Sequence, residues 1–326
     1  MAPVGIVGLG AYVPPREMTN EDWEGIVDTS DEWISTKTGM KVRRIADKDV
    51  CTSDLAVEAC NKALEDAGID ASEVDMLILA TSSPDVPLSS TAGIIQDKLG
   101  CSECAAFDIN AVCAGWVNAL DVGSRFAGTE GYRNVLVVGS EIYSRILNWG
   151  DRSTCVLFGD GAGAAVLSDV DEGRGILGSW LMSDGSGSSV IEIPAGGVRV
   201  PLGSVGFEEG MQYFHMDGRA VWDFAVEAFP QAVRSVLERV GRDLGEVDLI
   251  IPHQANINII EAGMENLGLP MSKTFTNLHK YGNTAGASVP IAMREAMDEG
   301  LIGPGSLVVT AAFGGGLAWG ANAMIF

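Results

Sequence analysis

Two stretches of the chain share one pattern of apolar and polar positions. Residues 63–78 read ALEDAGIDASEVDMLI and residues 236–251 read VLERVGRDLGEVDLII, a constant offset of 173 residues, and eight of the sixteen aligned positions are identical. An offset of about half the chain is too long for a solenoid repeat. The pattern therefore predicts two similar halves packed as a pseudo-dimer, which we divide into residues 1–170 and 171–326.

Each copy of this pattern predicts an amphipathic helix followed by a buried strand. Apolar residues at helical spacing predict helices over residues 53–67 and 222–240, and each helix ends beside a glycine. Short apolar runs then predict strands over residues 76–80 and 249–251. Similar runs predict further strands over residues 105–110, 135–139, 164–168 and 307–311. Helices that alternate with buried strands indicate α/β layers with largely parallel sheets.

The charge of the chain narrows the range of partners. The 44 acidic residues outnumber the 21 basic ones and give a net charge of −23. Such a surface should repel nucleic acids and anionic membranes, so we expect neither as a partner. The N-terminal sequence has no basic segment followed by an apolar one, and there is no apolar run of about 18 residues, so we expect a cytoplasmic protein. Cys101 and Cys104 lack a second ligand pair, so neither a metal nor another cofactor is expected.

Cys113 is the first candidate for chemistry. It lies between the strand predicted over residues 105–110 and a helix predicted to start at Ala114. A helix N-terminus carries a partial positive charge, which lowers the pKa of a thiol and favours the reactive thiolate. A buried cysteine with no role beyond packing is equally compatible with this segment.

Further candidates lie in the second half. His253, in PHQAN, follows a predicted strand at the end where open α/β sheets bind ligands. Asn283, in YGNTAGAS, precedes a helix predicted over residues 289–297, where it could also be a simple helix cap. The glycines of AFGGGLAWG permit close approach of a backbone N–H to a substrate, or form a plain turn. We interpret His215 and His279 as surface or core residues.

These motifs, together with FGDGAGAA, resemble β-ketoacyl-acyl carrier protein synthase III, a thiolase-superfamily condensing enzyme, over essentially the whole chain. The resemblance implies an α/β, duplicated thiolase-like fold with five layers (α-β-α-β-α) and two mixed sheets, assembled as a homodimer. It also implies that a short acyl-CoA starter is condensed with malonyl-acyl carrier protein by decarboxylative Claisen condensation through an acyl-cysteine, the step that initiates fatty-acid synthesis. No cofactor is implied, because acyl-CoA is a substrate.

The resemblance assigns roles to individual residues. Cys113 would carry the acyl group, while His253 and Asn283 would donate hydrogen bonds to the malonyl thioester oxygen. The backbone N–H groups of Cys113 and Gly315 would form an oxyanion hole, and Phe313 would pack near the sulfur. Coenzyme A would be bound by Trp33, Lys37, Arg152 and Asn256, and Leu88 would reach into the acyl pocket of a partner subunit.

The sequence departs from the family pattern at two places. Lys37 stands where the family usually has arginine. Positions that are usually basic and contact the acidic carrier protein are Asp223, Asn258, Glu265 and Asn266. Like charges at such a surface oppose docking.

Three explanations for this surface remain open. Docking could use Arg219, Lys273 or Lys280, high salt could screen the repulsion, or the acceptor could be different. The last explanation describes a secondary-metabolism acyltransferase, or a condensing enzyme with, for example, a CoA-bound acceptor. A non-catalytic scaffold on the same fold is a third class of function, which the complete Cys–His–Asn set argues against.

Overall fold

The computed structural model describes residues 2–326. Its helices are α1 (Asn20–Glu24), α2 (Asp31–Thr38), α3 (Thr52–Ala67), α4 (Thr91–Leu99), α5 (Gly115–Phe126), α6 (Gly218–Val240), α7 (Ile257–Leu267), α8 (Leu278–Tyr281) and α9 (Ser288–Asp298). Its strands are β1 (Val4–Tyr12), β2 (Glu17–Thr19), β3 (Val42–Arg44), β4 (Met76–Ala80), β5 (Ala105–Ile109), β6 (Val135–Glu141), β7 (Gly161–Asp169), β8 (Gly175–Ser183), β9 (Ile191–Glu192), β10 (His215–Met216), β11 (Leu249–Pro252), β12 (Leu307–Gly314) and β13 (Ala318–Ile325). Within residues 2–326, no helix combines the length and the apolar character needed to cross a membrane.

The two large sheets have matching strand orders. The first runs β1-β7-β6-β4-β5 and the second, read from its opposite edge, runs β8-β13-β12-β11. The parallel pairs are β4–β5 and β4–β6 in the first sheet and β11–β12 in the second, whereas β7 and β13 pair antiparallel with both of their neighbours. The expectation of largely parallel sheets is therefore wrong, because β6–β7 and β12–β13 reverse direction, and the expectation of two mixed sheets is confirmed.

The predicted five-layer order is also confirmed. Neighbouring layers pack together through three hydrophobic cores. Helices α3 and α4 pack on the outer face of the first sheet. Helices α5 and α9 lie between the two sheets, where Trp116 and Met293 are fully buried. Helices α6 and α7 cover the outer face of the second sheet, with Phe229 in that core. The predicted division at residue 170 falls in the loop between β7 and β8.

The identical residues of the repeat have identical structural roles. Gly68 and Gly241 end α3 and α6 in the left-handed conformation, with φ of +65° and +67°. Asp75 and Asp248 each accept a hydrogen bond of 2.8 Å from a backbone N–H at the start of the neighbouring strand, β6 or β12. The repeat therefore builds the frame of each half and carries none of the candidate chemistry.

Element boundaries differ from the predictions where polar contacts decide them. Helix α6 begins at Gly218 rather than at residue 222, because the carboxylate of Asp217 accepts hydrogen bonds of 3.0 Å from two N–H groups of its first turn. Helix α5 begins at Gly115, because residues 112–114 form a separate 3₁₀ turn. That turn contains Cys113.

Candidate active site

Cys113 lies in the 3₁₀ turn Val112–Ala114, between β5 and α5, and its side chain is buried. Val112 has a φ of +49°, a strained conformation for a β-branched residue. Gly314 of β12 lies directly against this turn, since a Cβ atom at Gly314 would be 2.8 Å from the backbone N of Cys113. The two halves of the chain therefore meet at the cysteine.

The environment of Cys113 corrects one expectation from the sequence. Burial, together with the nearby charge of Glu141, raises the pKa of the Cys113 thiol, whereas a position at a helix start had predicted a lowered pKa. The reason is that the turn is enclosed by both halves of the chain rather than open to solvent. The raised pKa favours the protonated thiol.

His253 follows β11 and is fixed by contacts on several sides. Its backbone N–H donates to the carbonyl of Ala311 on β12 (2.7 Å), and its ring meets the Phe313 ring edge-on at 5.4 Å between centroids. Burial lowers the pKa of His253 to about 3, so the ring is neutral at ordinary pH. Its Nδ1 atom lies 2.7 Å from the hydroxyl oxygen of Ser288, which in turn accepts the N–H of Gln254 at 3.4 Å.

Asn283 lies between α8 and a second 3₁₀ turn, Ala285–Ala287. Its side-chain oxygen accepts a hydrogen bond of 2.8 Å from the N–H of Ala285. Its backbone pairs with the segment around Phe158, which bridges it to the first half. Asn283 is not the cap of α9, because that helix begins at Ser288. Because the amide oxygen accepts a hydrogen bond from the backbone, the amide nitrogen is the group that can donate a hydrogen bond to a substrate.

Strand β12 and the two 3₁₀ turns bring these three residues together. Along β12, Ala311 and Phe313 contact His253, and Gly314 contacts Cys113. The turn of Cys113 packs against the turn that follows Asn283, and Ala285 shares a buried cluster with Cys113. Cys113 from one half and His253 and Asn283 from the other half are therefore connected through β12 and the two packed turns.

The residues that the resemblance assigned to coenzyme A lie on or beside α2 and at the start of α7. The guanidinium carbon of Arg152 is 5.2 Å from the centroid of the Trp33 ring, a cation–π geometry. Lys37 is exposed in the last turn of α2. Asn256 caps α7, and its side-chain nitrogen donates to the Lys37 carbonyl at 2.9 Å, so its polar groups already have partners within the fold.

Gly315 and Leu88 occupy contrasting positions. Gly315 is buried beside the Val112 side chain. A Cβ atom added at Gly315 would lie 3.3 Å from that side chain. Leu88 is 97% exposed in the loop between β4 and α4. Within this chain, therefore, Leu88 contributes nothing to the site of Cys113.

Sequence reasoning missed a second buried network beside Cys113. Glu141, the last residue of β6, is completely buried and accepts hydrogen bonds from the hydroxyls of Ser82 (2.9 Å) and Ser83 (2.5 Å). Burial raises the pKa of Glu141 to about 7. The signal for Glu141 in the sequence was a carboxylate directly after the apolar strand VLVVGS. Sequence reasoning also missed Ser288, the partner of His253.

The surface that would meet a carrier protein keeps its acidic character. The three alternative cations each have a partner: Arg219 pairs with Asp223 at 3.0 Å, Lys280 pairs with Glu295 at 3.2 Å, and Lys273 donates to a backbone carbonyl. His215 lies on β10, where its Nε2 atom is 3.0 Å from the carbonyl oxygen of Gly210, and His279 lies on α8.

Two parts of the chain match family models. Residues 107–185 match 3-oxoacyl-[acyl-carrier-protein (ACP)] synthase III, and residues 237–325 match the C-terminal domain of the same family. The first match contains Cys113, and the second contains His253 and Asn283.

Curated relatives and solved structures agree with these matches. The β-ketoacyl-[acyl-carrier-protein] synthase III of Caldanaerobacter subterraneus subsp. tengcongensis is 50% identical over 318 residues, which cover 98% of this chain and 96% of that protein. The structure of the Thermus thermophilus synthase III has a TM-score of 0.92 at 42% identity and covers 99% of both chains. The priming β-ketosynthase of the R1128 polyketide pathway has a TM-score of 0.93 at 31% identity and covers 100% of this chain and 96% of that one.

Proposed function

We infer that this chain, which belongs to the 3-oxoacyl-[acyl-carrier-protein] synthase III family, carries its acyl group on Cys113 and uses His253 and Asn283 for condensation. It is an acyltransferase that condenses an acyl-CoA starter with malonyl-acyl carrier protein and thereby initiates fatty-acid synthesis. Its relatives support this activity over a secondary-metabolism role with a different acceptor.

In the first step the sulfur of Cys113 attacks the thioester carbonyl of acyl-CoA. A new S–C bond forms, the bond between the carbonyl carbon and the CoA sulfur breaks, and the thiol proton of Cys113 ends on the CoA thiol. Negative charge develops on the carbonyl oxygen, and the backbone N–H groups of Cys113 and Gly315 would stabilise it. Trp33 and Arg152 would hold the adenine end of coenzyme A, and Lys37 and Asn256 would also contact the coenzyme.

In the second step the bond between the carboxylate and the α-carbon of the malonyl thioester breaks, and CO₂ leaves. Negative charge develops on the malonyl thioester oxygen as CO₂ leaves, and two hydrogen-bond donors there lower the barrier. The α-carbon then forms a bond with the acyl carbonyl carbon, the bond from that carbon to the Cys113 sulfur breaks, and the sulfur takes up a proton from solvent. The observation that carries the proposal is that both side chains are arranged as donors. The oxygen of Asn283 already accepts the Ala285 N–H, which leaves its NH₂ group for the substrate.

The neutral His253 ring is also placed so that it can act as a hydrogen-bond donor. The Ser288 hydroxyl, which also accepts the N–H of Gln254, lies within hydrogen-bond distance of the Nδ1 atom of His253 and can donate its hydrogen there. This favours the tautomer that carries hydrogen on Nε2, the form needed to donate to an oxyanion.

A homodimer is the proposed assembly. Leu88 is almost fully exposed, and β5 is an edge strand of the first sheet whose residues are half-buried or exposed. An exposed edge strand beside an exposed apolar side chain is a surface that a second copy of the chain could cover. Light scattering after size exclusion tests this, because a monomeric mass at micromolar concentration would contradict it.

Intact-protein mass spectrometry after incubation with acetyl-CoA tests the assignment of Cys113. The wild-type chain is expected to gain the mass of one acetyl group, and Cys113→Ala is expected to gain none. Cys155→Ala, at a buried cysteine outside the 3₁₀ turn, is the matched control and should still be acetylated. Persistent single acetylation of Cys113→Ala would overturn the proposal.

A further inference from the structure

A tightly packed aromatic cluster lies beside Cys113. Tyr143, Phe158 and Phe214 are all buried and belong to the same packing cluster as the cysteine. The ring of Tyr143 stacks on Phe158 with 4.8 Å between centroids, and Phe214 meets Phe158 edge-on at 5.0 Å. An acyl group attached to the sulfur would therefore lie close to these rings.

Hydrogen bonds hold the Tyr143 ring in place. Its hydroxyl lies 2.9 Å from the hydroxyl oxygen of Ser82, which lies 2.9 Å from the carboxylate of Glu141. Ser82 donates to Glu141, so its oxygen can accept the hydroxyl hydrogen of Tyr143. The network is buried, and a buried polar group that loses its partner is costly, so the ring resists displacement.

We propose that Tyr143 is a specificity-determining residue that restricts the acyl group on Cys113 to short, unbranched chains such as acetyl. A longer or branched chain would have to displace a ring that is packed on Phe158 and Phe214 and anchored through Ser82 to Glu141. Close-packed interiors accommodate added volume poorly. This inference rests on the proposed acylation of Cys113.

The test compares acylation rates by intact-protein mass spectrometry with acetyl-CoA, isobutanoyl-CoA and hexanoyl-CoA as separate donors. For the wild-type chain we expect hexanoyl and isobutanoyl transfer at least about tenfold slower than acetyl transfer. Tyr143→Leu is expected to raise the hexanoyl-to-acetyl rate ratio by about tenfold or more. Tyr143→Phe keeps the ring but removes the anchor, so a smaller rise of about two- to fivefold is expected.

Tyr132→Leu is the matched control, because Tyr132 packs on Phe126 at the far end of α5 and its replacement should leave the ratio unchanged. If Tyr143→Leu does not fold, Tyr143→Phe still decides the outcome. Equal wild-type rates with acetyl- and hexanoyl-CoA, or an unchanged ratio in the Tyr143 variants, would overturn this inference alone. Failure of all three donors to label Cys113 would instead overturn the proposed function.

Discussion

The two halves of the chain start their central helices with the same backbone but different side chains. Val112 and Ala285 each open a 3₁₀ turn with a positive φ, +49° and +45°, and each turn leads into a helix between the sheets. The next residue is Cys113 in one half and Gly286 in the other. A Cβ atom at Gly286 would lie 3.2 Å from the Glu141 carboxylate, so this half has to stay small where the other carries its thiol.

This comparison suggests a division of one reaction between the two halves of a duplicated fold, as the proposed function requires. The residues that remain identical in the repeat, such as Gly68 and Gly241, form caps and strand contacts. The candidate chemistry lies at positions that differ, with the nucleophile in the N-terminal half and the donors His253 and Asn283 in the C-terminal half. Four experiments test this division, in order of decreasing expected effect.

Replacing His253 or Asn283 with alanine is expected to slow condensation by about 100- to 1000-fold, because each change removes one donor to the developing oxyanion. Acetyl transfer to Cys113 is expected to continue, since the nucleophile lies in the other half. Release of CO₂ from malonyl-acyl carrier protein measures the condensation step. Intact-protein mass spectrometry measures the acylation step, and His279→Ala is the control. Equal loss of both steps would contradict the division.

Gly314→Ala tests the contact between the halves. The added methyl group would lie 2.8 Å from the backbone N of Cys113, so the turn has to shift. A displacement of this kind is expected to slow acylation by about 100-fold, because nucleophilic attack depends on alignment. Gly245→Ala, where an added Cβ meets nothing within 4 Å, is the control. Wild-type acylation in a folded Gly314→Ala protein would show that the contact has no role in the chemistry.

The pH dependence of unfolding should have opposite signs at the two buried titratable groups. The pKa of His253 is about 3 in the folded chain, so between about pH 6.5 and 3 only the unfolded chain binds this proton, and stability falls as pH drops. The pKa of Glu141 is about 7, so between about pH 7 and 4.5 only the folded chain binds this proton, and stability rises as pH drops. From about pH 7.5 to 5, each group contributes about 2 kcal/mol, in opposite directions.

Urea unfolding of His253→Gln and Glu141→Gln across this range measures both contributions. The free energy of unfolding of the wild type relative to His253→Gln should decrease toward pH 5, and that relative to Glu141→Gln should increase. His215→Gln, at an exposed position, is the control. Curves that stay parallel to the wild type in both variants would show that neither group is buried in this way.

The smallest expected effect concerns the outer helices. Glu265 on α7 and Asp97 on α4 are both exposed and both lie three residues before the glycine that ends their helix. Glu265→Lys is expected to raise kcat/KM for malonyl-acyl carrier protein by about two- to fivefold at low salt, because one repulsive charge becomes attractive. Asp97→Lys should change it less, and turnover of malonyl-CoA should respond to neither. An equal gain from both variants would place the docking surface elsewhere.

Much of this molecule could be predicted from local pattern. The apolar runs predicted β4 with its bounds and located the other central strands to within a few residues, because burial on both faces leaves a continuous apolar signal. The five-layer order came from the resemblance, and the structure confirmed it. The expectation of largely parallel sheets was wrong, since strand direction depends on which strands become neighbours.

Only part of the candidate site could be predicted from the sequence, because some of its properties depend on which distant segments become neighbours. Cys113, His253 and Asn283 stand out in short motifs, so their positions could be named from the sequence. The pKa of Cys113 could not be predicted from the sequence, because it depends on burial by segments far away in the chain, including Gly314 and Glu141. Nor did any local signal connect Ser288 with His253, which lies 35 residues away.

The sequence by itself determined the duplicated frame, the acidic surface and the identity of the candidate reactive side chains, because each of these is a property of composition or of local spacing. The tertiary structure alone decided the protonation of Cys113 and His253, the donor orientation of Asn283 and the packing of Tyr143 beside the thiol. These properties depend on contacts between two halves that lie far apart in the sequence, and on the exclusion of water where those halves meet.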